Sequence, residues 1–76
     1  MIATHKIESL KFASESMIVV IDGQEHRFAL SEISSKLQSA NDIQRNLFTI
    51  SPSGYGIHWP LLDEDLSIPA LLKSST

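Results

Sequence analysis

Apolar and polar positions alternate with a two-residue period through the first part of the chain, which predicts strands. Over residues 7–12, Leu10 and Phe12 share one face and Lys11 takes the other. Ser14-Glu15-Ser16 supplies a turn. Residues 17–21 are β-branched and apolar on both faces, the pattern of a central strand. Asp22-Gly23 follows and predicts a tight hairpin, because glycine accepts the positive φ such a turn demands. Over residues 24–30, His26, Phe28 and Leu30 lie on one face, with Glu25 and Arg27 opposite.

The period then lengthens. Leu30, Ile33, Leu37 and Ala40 recur at three- and four-residue steps, the stripe of an amphipathic helix of about two to three turns. Ser31 is placed to cap it, and Glu32 favours its positive end. Asn41 or Asp42 caps a further turn over residues 43–46. Residues 47–50 read as a fourth strand, and Ser51-Pro52-Ser53-Gly54 is turn chemistry. A fifth strand places Tyr55, Ile57 and Trp59 on one face with Gly56 and His58 on the other, and Pro60 ends it by withholding a donor. Asp63-Glu64-Asp65 is expected in a loop or single helical turn. Ser67 caps a last short helix over residues 68–72, with Pro69 tolerated in its first turn.

The expected architecture is α+β: a small, mostly antiparallel sheet in the order β-β-β-α-β-β-α, with one main helix packed on one face. Residues 1–76 form a single domain, with frayed ends at 1–5 and 73–76. The expected core is Phe12, Val19, Phe28, Ile33, Leu37, Phe48, Ile57, Trp59 and Leu71.

Composition narrows the chemistry. A chain of 76 residues supports a marginal core, so a partner or a second copy would help it. The absence of cysteine removes disulfides, thiolate metal sites and thiol nucleophiles, and suits a reducing cytoplasm. Hydrophobic residues reach 42%, too many for intrinsic disorder. The longest apolar run, residues 17–21, falls far short of the ~20 residues of a membrane span. No apolar signal core follows the N-terminus, so no export is expected. The net charge of −3, with six scattered Lys and Arg, argues against direct nucleic-acid binding and suits a basic partner.

The segment from Gly54 to Asp65 concentrates the unusual residues: the only Trp, the only Tyr, two of the three Gly and the acidic triplet. Together with Gln44-Arg45-Asn46 and the continuation Leu66-Ser67, it resembles the bacterial domain-of-unknown-function family 2442. That family opens with a strand-turn-strand carrying an Asp-Gly step, matched by Asp22-Gly23. Its short helical middle ends near an arginine, matched by Arg45. Its close, GxGIHWPxLDEDISxxxLL, is matched from Gly54 to Leu72, with Leu66 where Ile is common. The resemblance spans nearly the whole chain and is densest over residues 44–72. Some members look like one half of toxin–antitoxin-type gene pairs. Others are joined to a helix-turn-helix domain, which is not expected within these 76 residues. The resemblance carries over no catalytic residue and implies a protein-interaction module, regulatory or antitoxin-like.

Each motif has a structural reading beside the functional one. Three consecutive carboxylates rarely converge on one ion, and the EF-hand spacing is missing, so no metal is expected. His58, with Asp63 or Asp65 as candidate partner, resembles two-thirds of a triad, but no serine stands on a nucleophile elbow, so no enzyme is expected. Gly54-Tyr55-Gly56 lacks the third glycine, the lysine and the following helix of a phosphate loop. Arg45 is expected to pair with a carboxylate or to salt a helix end.

The candidate partner-binding residues are therefore Tyr55, His58, Asp63, Glu64 and Asp65, and no cofactor is expected. The partner would be a protein with a basic patch, such as a toxin or a host complex. A phage-type inhibitor and a homodimeric structural module are the alternatives. A small His/carboxylate enzyme or metal site ranks below both.

Overall fold

The structure, a computed structural model, describes residues 5–74. Two three-stranded antiparallel sheets and four short helices make an α+β fold. The first sheet is a meander of β1 (Ile7–Ala13), β2 (Ser16–Ile21) and β3 (Gln24–Ala29), in that spatial order. Its second turn is the expected two-residue loop, with φ of 52° at Asp22 and 80° at Gly23, as a hairpin matched to strand twist requires. Met17, Val19 and Ile21 on β2 turn inward, and Phe28 on β3 joins them. Ile18 points the other way, yet only 5% of it is exposed. Lys11 and Arg27 flank it in register on the neighbouring strands.

The helix predicted along Leu30, Ile33, Leu37 and Ala40 is instead two pieces, α1 (Leu30–Ile33) and α2 (Ser35–Ser39), and the further turn expected over residues 43–46 is α3 (Asp42–Asn46). The break falls at Ser34, which is extended at φ −165° and ψ 109°. Its hydroxyl accepts the Leu37 amide at 3.1 Å and donates to Glu64 Oε2. Serine offers the backbone such a local alternative to helix continuation, and a long-range acceptor makes the alternative permanent. Ser31 does not cap α1, whose N-cap is Ala29 with no side-chain bond. At α3 the expected cap forms in full: Asn41 Oδ1 accepts the Gln44 amide at 2.8 Å and Gln44 Oε1 accepts the Asn41 amide at 3.0 Å.

The second sheet contains β4 (Thr49–Ile50), β5 (Gly56–Trp59) and β6 (Glu64–Ser67). The last of these corrects the expected loop at Asp63-Glu64-Asp65. Asp63, at φ 49°, ends the turn after Pro60, and the chain returns as a strand paired with β5. The expected order β-β-β-α-β-β-α thus becomes β-β-β-α-α-α-β-β-β-α, with two sheets instead of one and no main helix. The final helix, α4 (Ile68–Ser74), starts as predicted, with Ser67 Oγ accepting the Ala70 amide at 3.1 Å.

Trp59 is the largest fully buried side chain. Phe12 meets it edge-on at 6.5 Å between ring centroids, and Phe48 lies tilted against it at 6.1 Å. Six of the nine expected core residues are buried: Val19, Phe28, Leu37, Ile57, Trp59 and Leu71. Phe12, Ile33 and Phe48 are half-buried against them. Met17, Ile21, Leu30 and Ile68 complete the cluster.

Arg45 pairs with no carboxylate among the described residues. It serves a helix end instead. Nε donates to the Leu37 carbonyl and one terminal nitrogen to that of Gln38, each at 2.9 Å, which satisfies the last turn of α2. The other terminal nitrogen donates to the Ser14 carbonyl at 2.9 Å and so holds the first hairpin turn.

Of the ends expected to fray, residues 1–4 and 75–76 lie outside the described ones. His5 is fixed. Its amide donates to the Ser53 carbonyl at 3.2 Å and its Nδ1 to Asp22 Oδ2 at 2.8 Å. Lys73 lies within α4.

Candidate functional site

The site is built on the outer face of the second sheet. Strand alternation turns Ile57 and Trp59 inward and leaves Gly56 and His58 outward. On β6 the same alternation turns Glu64 and Leu66 inward and Asp65 and Ser67 outward, because Trp59 pairs with Glu64 and His58 with Asp65. Thr49 of β4 lies opposite His58 on the other side. Thr49, His58 and Asp65 therefore form one row across three strands.

Within that row His58 Nδ1 donates to Asp65 Oδ1 at 2.7 Å. A carboxylate can only accept, so Nδ1 carries a proton, and in the neutral imidazole Nε2 is left as an acceptor. The pair is open to water, with His58 45% and Asp65 74% exposed. Screening at that exposure limits its stabilising contribution to about 0–1 kcal/mol.

The turn before β5 is tightly determined. Ser51 Oγ accepts the amides of Tyr55 at 3.0 Å and Gly56 at 3.1 Å, and the Ser51 amide donates to the Gly56 carbonyl at 3.0 Å. Gly54 sits at φ 69°, and a Cβ there would lie 1.7 Å from the His5 carbonyl oxygen. Only glycine lets the N-terminal segment cross this turn. Tyr55 is thereby lifted off the strand and is 52% exposed, not on the face it would share with Ile57 and Trp59.

These features enclose an open, largely apolar groove of about 880 Å³. Ile50, Pro52 and Tyr55 border it, His58 and Asp65 supply its polar side, and Gly56 leaves its floor bare. Among the described residues Asp65 is its one acidic residue, and no Lys or Arg lines it.

Three of the five candidate partner-binding residues, Tyr55, His58 and Asp65, meet here. The other two do not. Glu64 lies on the inner face, where Oε2 accepts the Ser34 hydroxyl and Oε1 the Asp65 amide. Asp63 lies in the turn, its carbonyl accepting Lys36 Nζ at 3.1 Å. Ile50 and the floor at Gly56 went unmarked as site residues, although the alternation around Ile57 already set Gly56 beside His58. Among the described residues no three His, Asp or Glu side chains are grouped to hold a metal ion.

A second, polar recess of about 590 Å³ adjoins the same turn, between His5, Asp22 and residues 50–54. The Lys6 amide and then the His5 ring hold the Asp22 carboxyl below its ordinary value of 3.8.

Fold and site together define a small α+β domain whose second antiparallel sheet carries a surface groove. Residues 7–76 match the family model described as protein of unknown function (DUF2442), and the chain belongs to that family. No curated protein matches it. Among solved structures it is similar to the crystal structure of a protein of unknown function from Rhodospirillum rubrum ATCC 11170. The two share 29% identity, with a TM-score of 0.71 over 92% of this chain and 87% of that one. No helix among the described residues is long and apolar enough to cross a membrane.

Proposed function

We propose that this domain is a non-catalytic protein-interaction module, regulatory or antitoxin-like in role, and that it receives its partner in the groove over Gly56. One observation carries the reading. Tyr55 and the His58–Asp65 pair, drawn from separate segments, line the same apolar groove. A large exposed aromatic beside a polar pair is the composition of an interface anchor. The openness of that pair favours binding over catalysis, since electrostatic catalysis gains most in a site closed to water. A partner with a basic patch suits the single carboxylate of the groove and the net charge of −3. The cysteine-free composition suits action in the cytoplasm.

The test compares the wild-type chain with Gly56→Val and Tyr55→Ala as immobilised baits at low salt. Wild type should retain a specific protein that both variants lose, while circular dichroism shows all three folded. Equal retention by the variants, or no specific protein on the wild type, would refute the reading.

The exposed edge of the two-residue strand β4, which includes Ile50, favours a second reading, self-association through that edge. Sedimentation of a monomer at high concentration would exclude it.

A further inference from the structure

We infer that the groove reads an arginine side chain of its protein partner, a step that rests on the interaction module just proposed. The polar groups of the row can all accept a hydrogen bond. Asp65 Oδ1 is taken by His58, which leaves Oδ2 open. The same bond places a proton on Nδ1, so the neutral imidazole offers Nε2 as a second acceptor. Thr49 completes the row with a hydroxyl. A cation is therefore the complementary ligand, and among the described residues no Lys or Arg lines the groove to compete for it.

Arginine fits better than lysine for two reasons. Its planar fork donates to two acceptors at once, where an ammonium is a compact point charge. Its flat face also stacks on an aromatic ring, and Tyr55 borders the same groove, half exposed. The missing side chain at Gly56 leaves room for the aliphatic stem between the ring and the acidic pair.

The test is an NMR titration of the intact chain with the blocked tripeptide acetyl-Gly-Arg-Gly-amide and with its lysine and citrulline counterparts. The arginine peptide should shift the amides of Tyr55, Gly56, His58 and Asp65 saturably, with a Kd on the order of 1–10 mM. Lysine should bind about tenfold more weakly, and citrulline, which keeps the shape but not the charge, should not saturate. Asp65→Asn should abolish the arginine shifts, and Gly56→Val should block them by filling the groove. Unsaturable shifts, or equal shifts with lysine or citrulline, would overturn the inference.

The two proposals fail separately. If the arginine peptide does not bind but Gly56→Val still abolishes retention of a protein partner, the arginine site falls and the interaction module stands. If arginine binds while Gly56→Val leaves retention intact, the module as placed falls and the arginine site stands.

Discussion

The indole nitrogen of Trp59 donates to the backbone carbonyl of Arg45 at 2.9 Å, so the most buried aromatic is bound to the residue that closes a helix. The Arg45 guanidinium in turn lies 5.7 Å from the centroid of the Phe12 ring, which meets Trp59 edge-on. Arg45 is thus a buried cation satisfied by carbonyls and an aromatic face, without a counter-ion among the described residues.

Arg45→Lys should therefore be costly despite keeping the charge, because an ammonium cannot reach three carbonyls in a fixed fork. A loss of about 2 kcal/mol is expected, and about 3 kcal/mol for Arg45→Ala. Urea denaturation followed by Trp59 fluorescence measures both. A loss for lysine under about 0.5 kcal/mol would be that of an ordinary surface site.

Ser34 and Glu64 should be coupled. Ser34→Ala removes the α2 cap and the hydroxyl that donates to Glu64 Oε2, an expected cost of about 1–2 kcal/mol. Glu64→Gln keeps an acceptor for the hydroxyl and should cost less. A double-mutant cycle over Ser34→Ala and Glu64→Ala should show a coupling of at least about 0.5 kcal/mol, whereas independent sites would add.

Gly54→Ala should disturb both the turn and the segment that crosses it. The added methyl meets the His5 carbonyl, and the positive φ adds a strain of about 1 kcal/mol. Hydrogen exchange should show the His5 amide losing protection first. Unchanged protection there would mean the crossing is absent in solution.

Acid should weaken the fold through Asp22. Its folded carboxyl titrates below the ordinary value of 3.8, so its contribution is complete above that value. It disappears as the pH falls from there through the lower folded value. Asp22→Asn keeps an acceptor for the Lys6 amide and tolerates the positive φ, but cannot ionise. The urea-midpoint advantage of wild type over this variant should shrink between about pH 5 and pH 2. A constant difference across that interval would contradict the assignment.

Local features proved legible from sequence. The Asp22-Gly23 hairpin, the Asn41 cap and the Ser67 cap each depend on side chains acting within a few residues of themselves. The strand at Ile57 and Trp59 was visible because its alternation carries large apolar residues. β6 was not, because Glu64 and Asp65 share a charge and give no apolar signal, although they face opposite sides of the sheet. The break at Ser34 was hidden for a related reason. Its acceptor, Glu64, stands thirty residues away in sequence.

The sequence by itself determined the α+β class, the family, the buried tryptophan strand and the concentration of unusual residues after Gly54. The class and the strand follow from periodicity and turn chemistry, which act over short stretches of chain, and the family from the resemblance that is densest over residues 44–72. Only the tertiary structure decided that two sheets form and that Arg45 spends its charge on carbonyls. It likewise divided the acidic triplet, turning Glu64 inward to Ser34 and Asp65 outward to His58. Strand register made that choice, and register is set by contacts between segments that no local pattern contains.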